Sequence, residues 1–504
     1  MSLARWIERH AAFTPDKVAI RCADQGLSYA ALAERTRRLA AGLREDLRID
    51  YGDRVAFLGF NHPDLLVLLF ACARLGASLV PLNWRLAPAE HRAILADAEP
   101  KALFCEAEFR APMESMRQGL PGSRLVACDF AGEGWARLDD LLRADDDPEV
   151  LDGDPEDAVL IVYTSGTTGQ PKGAVLSQDA LFWNAVNSAH MHDLTSADHV
   201  LTVLPLFHVG GLNIQTLPAL HAGASVTLHR RFEPGATLEA IALVRPTLTV
   251  LVPATMRTLV DHPGWPQTDL SSLRLVATGS QIVPVELIEA FHARGVPVAQ
   301  VYGTTETAPI AVYQRRTDAE RSIGAAGKPA LHCELRIVDD ADQDVAPGLR
   351  GEVLVRGPNV MSHYWRRPEA TAAALRNGWF RTGDVGHLDN EGYLWIDGRK
   401  DDLIKSGGEW IDPAAVEELL RQAPGVAEVA VVARADPTWG EVPVAVVVPA
   451  GDRRPSREDL LAVLVGRIAR FKHPKDVLFV DELPKSALGK VLRYRLRELA
   501  GSDD

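Results

Sequence analysis

Five stretches of this 504-residue chain place donors, carboxylates and cations at spacings that can do chemistry. The first is Thr164–Gly173, "TSGTTGQPKG". Glycines there let the backbone turn tightly and bring N–H groups to a phosphate, while the hydroxyls and Lys172 add donors and charge. Read from Gly166, the run nearly fits G-x-x-x-x-G-K-[ST]. It fails at Pro171, in the place of the second glycine, and at Gly173, in the place of the hydroxyl residue after the lysine. A phosphate loop of another kind is expected. "YGTTE" (Tyr302–Glu306) offers threonines to a phosphate and the Glu306 carboxylate to Mg²⁺, which nucleotide sites hold through one or two carboxylates plus phosphate oxygens. "WFRTGDVG" carries Asp384, suited either to an Asx turn or to the two hydroxyls of a ribose. "GRKDDLIKSGGEW" brings Arg399 as a further anion partner, and "PKSALGK" ends in the cation Lys490. No Ser–His–Asp arrangement is visible.

Elements that would position these residues follow from the apolar pattern. Strand-length runs such as "RVAFLGF", "SLVPLN", "ALFCEA", "AVLIVYTS", "HVLTVLP", "SVTLH", "LTVLVPA", "LRLVATG" and "VPVAQVYG" alternate with helical patterns such as "PDLLVLLFACARLG" and "PVELIEAFHARG". Near-continuous apolar strands with helical crossovers predict α/β layers with largely parallel sheets. Three of the strands end in Thr164-Ser165-Gly166, Thr278-Gly279-Ser280 and Tyr302-Gly303-Thr304. Ligands in open α/β sheets collect at such carboxyl ends, so one composite site is expected. From about Gly324, "ELRIVDD", "GEVLVRG" and "GYLWIDG" predict an antiparallel or barrel-like segment. After it comes a compact α+β unit whose first helix starts near Pro413. The expected division is a large domain over 1–397 and a small one over 398–504.

Composition narrows the class. A formal net charge of −14 argues against general nucleic-acid binding. The five cysteines, Cys22, Cys72, Cys105, Cys128 and Cys333, show no metal-finger or C-x-x-C spacing, which points to thiols in a reducing, cytoplasmic setting. The N-terminus lacks the apolar core of a signal peptide. The most apolar stretch is interrupted by Arg74 and Gly76, so it reads as a buried helix and a strand, with no integral membrane span. A peripheral membrane contact and a homodimer are left open.

Taken together and in this order, "YTSGTTGQPKG", "YGTTE", "WFRTGD", "GRKDDLIKSGGE" and "PKSALGK" resemble the adenylate-forming superfamily of acyl-CoA synthetases, adenylation domains and luciferases. The resemblance spans nearly the whole chain. It implies that Thr164, Ser165, Gly166, Thr167, Thr168, Gly169 and Lys172 hold the β- and γ-phosphates of ATP. It also implies that Thr304 and Thr305 meet the α-phosphate and that Glu306, with Thr168, serves Mg²⁺. Gly279, Ser280 and Gln281 would flank adenine with Tyr302 stacking on it, Gly303 would belong to the same nucleotide site, and Asp384, with Arg399 nearby, would bind the ribose hydroxyls. Lys490 would serve adenylation from a small domain that turns about Asp401, one orientation for each half-reaction. An acid–thiol ligase using ATP, Mg²⁺ and coenzyme A follows.

The resemblance also implies an acyl site at His208, Val209, Gly210, Thr255, Met256 and Thr307. His208 in "PLFHVGG" would gate it, and Gly210 and Gly211 would leave room for the acyl group. The coenzyme A arm would pass Ser406, Gly407 and Gly408 and end near Trp439, Phe471 and Lys475. A medium- or long-chain fatty acid is the first expected substrate. The alternatives are an aryl acid, a dicarboxylate paired by Arg257, or transfer to a carrier protein. A non-catalytic member of the fold would have lost Lys172, Glu306, Asp384 or Lys490, and all four are present.

Overall fold

The computed structural model describes residues 3–23, 25–116, 122–142, 156–164, 171–281, 283–400, 402–406, 409–451, 454–485 and 491–501, with the backbone alone at 405, 409 and 410. The apolar run after His62 forms the helix Pro63–Leu75. Pro63 occupies its first turn, the His62 ring accepts the Asp64 N–H at 3.2 Å, and Gly76 closes it in the left-handed region at φ 66°. Every residue of that helix is buried. A fully buried Leu or Phe side chain contributes about 1.5–3 kcal/mol, so this one helix anchors a large part of the core. Arg74 is buried within it and forms an ion pair with Glu8 of the helix Ala4–Phe13. A buried charge needs such a partner. Among the described residues no helix is long and apolar enough to cross a membrane.

Two large sheets share one hydrophobic core with this helix. One runs, among the described residues, in the order Lys328–Pro329, Val312–Tyr313, Val298–Tyr302, Leu275–Gly279, Leu248–Leu251, His199–Thr202, Ser225–Leu228, Val18–Cys22, Gln25–Ser28. Its inner strands are parallel, as the continuous apolar runs predict, and its margins are antiparallel. The other runs His363–Tyr364, Lys172–Ser177, Ala158–Thr164, Ser78–Pro81, Arg54–Leu58, Ala102–Cys105, Arg124–Ala127, Ala136–Arg137. Ser28 and Ser177 cap the helices that follow them by accepting the N–H groups of Ala31 and Ala180.

The later segment forms a sheet of Glu334–Val338, Gly351–Arg356, Trp379–Leu388 and Leu375–Arg376, with Leu394–Arg399 paired to Trp379–Leu388. A last sheet holds Glu409–Ile411, Ile404–Ser406, Gly440–Pro449 and Val426–Asp436, with Asp476–Phe479 paired to Gly440–Pro449. The helix Pro413–Leu420 starts where the sequence places it, capped by Asp412. The chain divides into two compact units. One comprises 1–336, 354–381 and 391–394, the other 337–353, 382–390 and 395–504. The architecture is thus mixed α/β, with a large N-terminal and a small C-terminal domain.

All five cysteines are unbridged, and four are buried. Burial pushes the thiols of Cys105 and Cys333 up to about 12. In the native protein at pH 8, Ellman's reagent is expected to titrate fewer than roughly one thiol within minutes, and all of them after denaturation. Burial also lowers His192, His208 and His221 from the ordinary imidazole value near 6.5 to about 4. Between those two pH values the unfolded chain binds protons at these rings that the folded chain does not. Stability therefore falls as the pH drops through that window. A melting temperature that declines from pH 6.5 to 4.5 checks this. A flat profile would contradict it.

Candidate functional site

Strands His199–Thr202, Leu248–Leu251, Leu275–Gly279 and Val298–Tyr302 lie side by side and parallel. Their carboxyl ends run into the segments that carry His208, Thr255, Ser280 and Glu306. That is the edge at which α/β sheets gather ligands. Ser280 sits there at φ 76°, a conformation that costs a non-glycine residue about 1–3 kcal/mol and concentrates at functional sites. Gln281 beside it is exposed. The hydroxyls of Thr278 and Thr304 are sheltered from solvent and have no hydrogen-bond partner among the described residues.

The turn after Tyr302 is pinned from several directions. The Thr304 N–H donates to Thr307 Oγ1 at 2.9 Å, and that hydroxyl donates back to the Thr304 carbonyl at 3.1 Å. Asn359 Nδ2 donates to the carbonyls of Thr307 and Ile310 at 2.6 and 2.8 Å. Asn184 Oδ1 accepts the Ile310 N–H at 3.1 Å. Met361 N–H donates to the Glu306 carbonyl at 2.7 Å, and the Tyr364 hydroxyl donates to Glu306 Oε1 at 2.7 Å. Thr305 is buried within this turn.

The strands on either side of the glycine-rich run reach the same place. Strands Ala158–Thr164 and Lys172–Ser177 pair antiparallel with Thr164 opposite Lys172. The Lys172 ammonium lies 5.6 Å from the centre of the Tyr364 ring. Lys172 and Glu306, about 130 positions apart in the chain, thus share one neighbour. Ser165, Gly166, Thr167, Thr168 and Gly169 lie outside the described residues, as do Asp401, Gly407, Gly408 and Lys490.

The residues expected to line an acyl site depart in part from expectation. His208 Nδ1 accepts the Gly210 N–H at 3.0 Å, so the neutral ring carries its proton on Nε2 and can only donate from there. Val209 is buried. Gly211 does not leave room for an acyl group, because a Cβ there would fall 2.2 Å from the Pro205 carbonyl oxygen. Its missing side chain serves close backbone packing. Thr255 uses its hydroxyl at the start of its own helix, bonding both the N–H and the carbonyl of Val252 at 2.9 Å. Thr307 is fully buried and its hydroxyl closes the turn described above. Met256 is fully buried among Leu201, Leu238, Leu259 and Trp265. Arg257 pairs with Glu286 at 2.6 Å on the surface, which engages the guanidinium that a dicarboxylate would need.

Within the C-terminal unit, Arg399 Nε meets Asp384 Oδ1 at 2.9 Å across the paired strands Trp379–Leu388 and Leu394–Arg399. Asp384 is buried, and its N–H donates to Thr382 Oγ1 at 3.0 Å. Ser406 is buried as well. Lys475 Nζ lies 6.0 Å from the centre of the Trp439 ring, and Trp439 and Phe471 are exposed. The N–H groups of Trp439 and Thr438 hold the Asp436 carboxyl below its usual range and fix the Trp439 loop.

Sequence reading missed Tyr364, Asn184 and Asn359. Tyr364 stands in "SHYWRRPEAT", whose charge suggests plain surface. Its pairing with Lys172–Ser177 is non-local and leaves no signal in the neighbouring residues.

Comparison with known proteins bears on this geometry. The AMP-binding enzyme model matches residues 7–365, and that of the AMP-binding enzyme C-terminal domain matches residues 415–490. An indoleacetate–CoA ligase of Aromatoleum aromaticum is 54% identical over 99% of this chain and 98% of its own. A feruloyl-CoA synthase of Amycolatopsis is 43% identical over 99% of both chains. The o-succinylbenzoate coenzyme A synthetase of Bacillus subtilis, solved with ATP and magnesium ion, has a TM-score of 0.85 at 32% identity, covering 97% of this chain and 98% of that one. With both models matched in order and relatives aligned end to end, the chain belongs to the AMP-binding enzyme family of the adenylate-forming superfamily.

Proposed function

We propose that the protein is an ATP-dependent ligase that joins an aromatic carboxylic acid to coenzyme A through an acyl-adenylate. The observation that carries the choice of acid is the 54% identity, over 99% of this chain, to an indoleacetate–CoA ligase. The feruloyl relative supports it from a second aromatic acid. The aryl alternative therefore stands ahead of a medium- or long-chain fatty acid, and the ion-paired Arg257 weighs against a dicarboxylate.

In the first step a carboxylate oxygen of the acid bonds to the α-phosphorus of ATP, the α–β anhydride bond breaks, and pyrophosphate leaves. In the second, the coenzyme A sulfur, losing its proton, bonds to the acyl carbon and AMP leaves. The Lys172 hairpin, with the Thr278 and Thr304 hydroxyls that have no partner among the described residues, would supply such a ligand with donors. Asp384, oriented by Arg399, takes the ribose. His208 donates from Nε2 towards the acid and moves no proton. Trp439, Phe471 and Lys475 present a cationic, aromatic surface to the coenzyme A nucleotide. Lys490 serves the first step, and a turn at Asp401 hands the site to Ser406, Gly407 and Gly408 for the second.

The donor set suits Mg²⁺. Among the described residues no group of three or more His, Cys, Asp or Glu side chains can hold a metal, whereas Glu306 offers one hard carboxylate beside hydroxyl-bearing residues. Mg²⁺ takes such a site together with phosphate oxygens. When bound, it offsets negative charge on the phosphates.

Pyrophosphate release over a panel of acids, with and without coenzyme A, tests the proposal. Indoleacetate and cinnamate-type acids are expected to exceed octanoate, palmitate and malonate in kcat/KM by on the order of tenfold or more. A preference for the fatty acids would return the reading to a fatty acid ligase. Pyrophosphate and AMP without thioester, coenzyme A being present, would point to a carrier protein as acceptor. No acid-dependent pyrophosphate would sink the ligase reading.

A further inference from the structure

The segment Met361–Trp365 lies between the phosphate-loop strand and the Glu306 turn and bonds to both. On one side Ser362 N–H donates to Val175 O at 3.0 Å and Trp365 N–H to Gly173 O at 2.7 Å. On the other, Met361 N–H holds the Glu306 carbonyl at 2.7 Å. The segment is itself anchored from a third direction by Asp97. The Asp97 carbonyl accepts from Trp365 Nε1 at 3.1 Å, and its carboxylate pairs with Arg367 at 2.8 Å and accepts the Tyr163 hydroxyl at 2.7 Å. Thr371 Oγ1 accepts the Tyr364 N–H at 3.0 Å. Tyr364 is therefore a buried side chain on a strap whose backbone is held along its length.

From that strap its two ends do different things. The hydroxyl donates to Glu306 Oε1 at 2.7 Å, and the ring lies under the Lys172 ammonium at 5.6 Å. A hydrogen bond to one carboxylate oxygen fixes the rotation of the whole group and directs the other oxygen. Outer partners of this kind set the orientation of metal-binding carboxylates. We propose that Tyr364 is a positioning residue that turns Glu306 so that Oε2 is offered to the nucleotide's divalent cation, while its ring holds Lys172 at a set distance from that carboxylate. This rests on Glu306 as the metal carboxylate and Lys172 as the phosphate lysine. It adds a structural reason why two residues far apart in sequence act on one metal–nucleotide unit.

The test uses the full-length protein, ATP and Mn²⁺, with no acid present, so that no turnover occurs. Electron paramagnetic resonance reads free Mn²⁺, and fluorescence titration reads ATP binding without metal. Tyr364→Phe is expected to weaken Mn²⁺ in the ATP complex on the order of tenfold, with metal-free ATP affinity and melting temperature unchanged. Tyr364→Leu, which also removes the ring, is expected to weaken metal-free ATP binding several-fold in addition. A merely structural role would move the melting temperature and both affinities together in the Phe variant, and that outcome overturns the proposal. Glu306→Gln separates the two levels. If it loses Mn²⁺ while Tyr364→Phe binds as the unmodified protein does, the role of Tyr364 falls and that of Glu306 stands. If Glu306→Gln binds Mn²⁺ normally, the metal reading falls and the proposal with it.

Discussion

Replacing Lys490 by Ala is expected to slow acid-dependent pyrophosphate release by on the order of 10²- to 10³-fold. Two anions, the acid and ATP, must meet at the α-phosphorus, and a cation aimed at the charge that develops there lowers the barrier most in a water-poor site. Thioester formation from supplied acyl-adenylate has no such meeting of anions. The same variant is therefore expected to keep most of that second half-reaction. Stopped-flow measurement of both halves decides the matter. Equal losses in the two would contradict the assignment of Lys490 to adenylation alone, and no loss in either would remove it from the machinery.

Replacing Gly303 by Ala is expected to damage fold and nucleotide binding together. A Cβ at this position would stand 1.7 Å from the Pro309 carbonyl oxygen and 2.7 Å from Thr307 Oγ1. Pro309 cannot retreat freely, because Asn359 and Asn184 hold the backbone of Thr307 and Ile310 on either side of it. Overpacking of this kind costs roughly 1–3 kcal/mol even where neighbours yield a little. Here the yielding part carries Glu306, and a shift of about 1 Å in a positioned group can cost on the order of 10²-fold in rate. Calorimetry should show a lowered melting temperature, and ATP titration in Mg²⁺ should show weakened binding. A variant with unmodified values in both would show that the turn has slack which these contacts deny.

The two variants sample opposite ends of what could be read beforehand. Lys490 is proposed from sequence because "PKSALGK" closes an ordered set of five motifs, and chemistry-bearing residue types at fixed spacing can be read without any knowledge of packing. The constraint on Gly303 is not legible. "YGTTE" shows a glycine in a turn, but nothing in it reveals that the Pro309 carbonyl folds back onto that glycine. Gly211 gives the same lesson with the opposite sign. Its small size suggested room for the acyl group, whereas the Pro205 carbonyl already fills the space. Thr255 and Thr307 look like ligand hydroxyls in sequence, yet both are engaged by their own backbone.

The sequence alone determined the element order, the parallel interior of the sheet beneath the site, and the residues at the carboxyl ends of its strands. Those depend on apolar periodicity, on turn residues and on motifs, all local in the chain. Pro63 at the start and Gly76 after the end mark one buried helix in this way. Tertiary structure alone decided which hydroxyls have no partner among the described residues, where a glycine is space and where it is contact, and that Lys172 and Glu306 meet through Tyr364. The reason is physical. Hydrogen bonds and close approaches between residues 50 to 200 positions apart form only when layers pack, and no local pattern encodes which donor will find which acceptor.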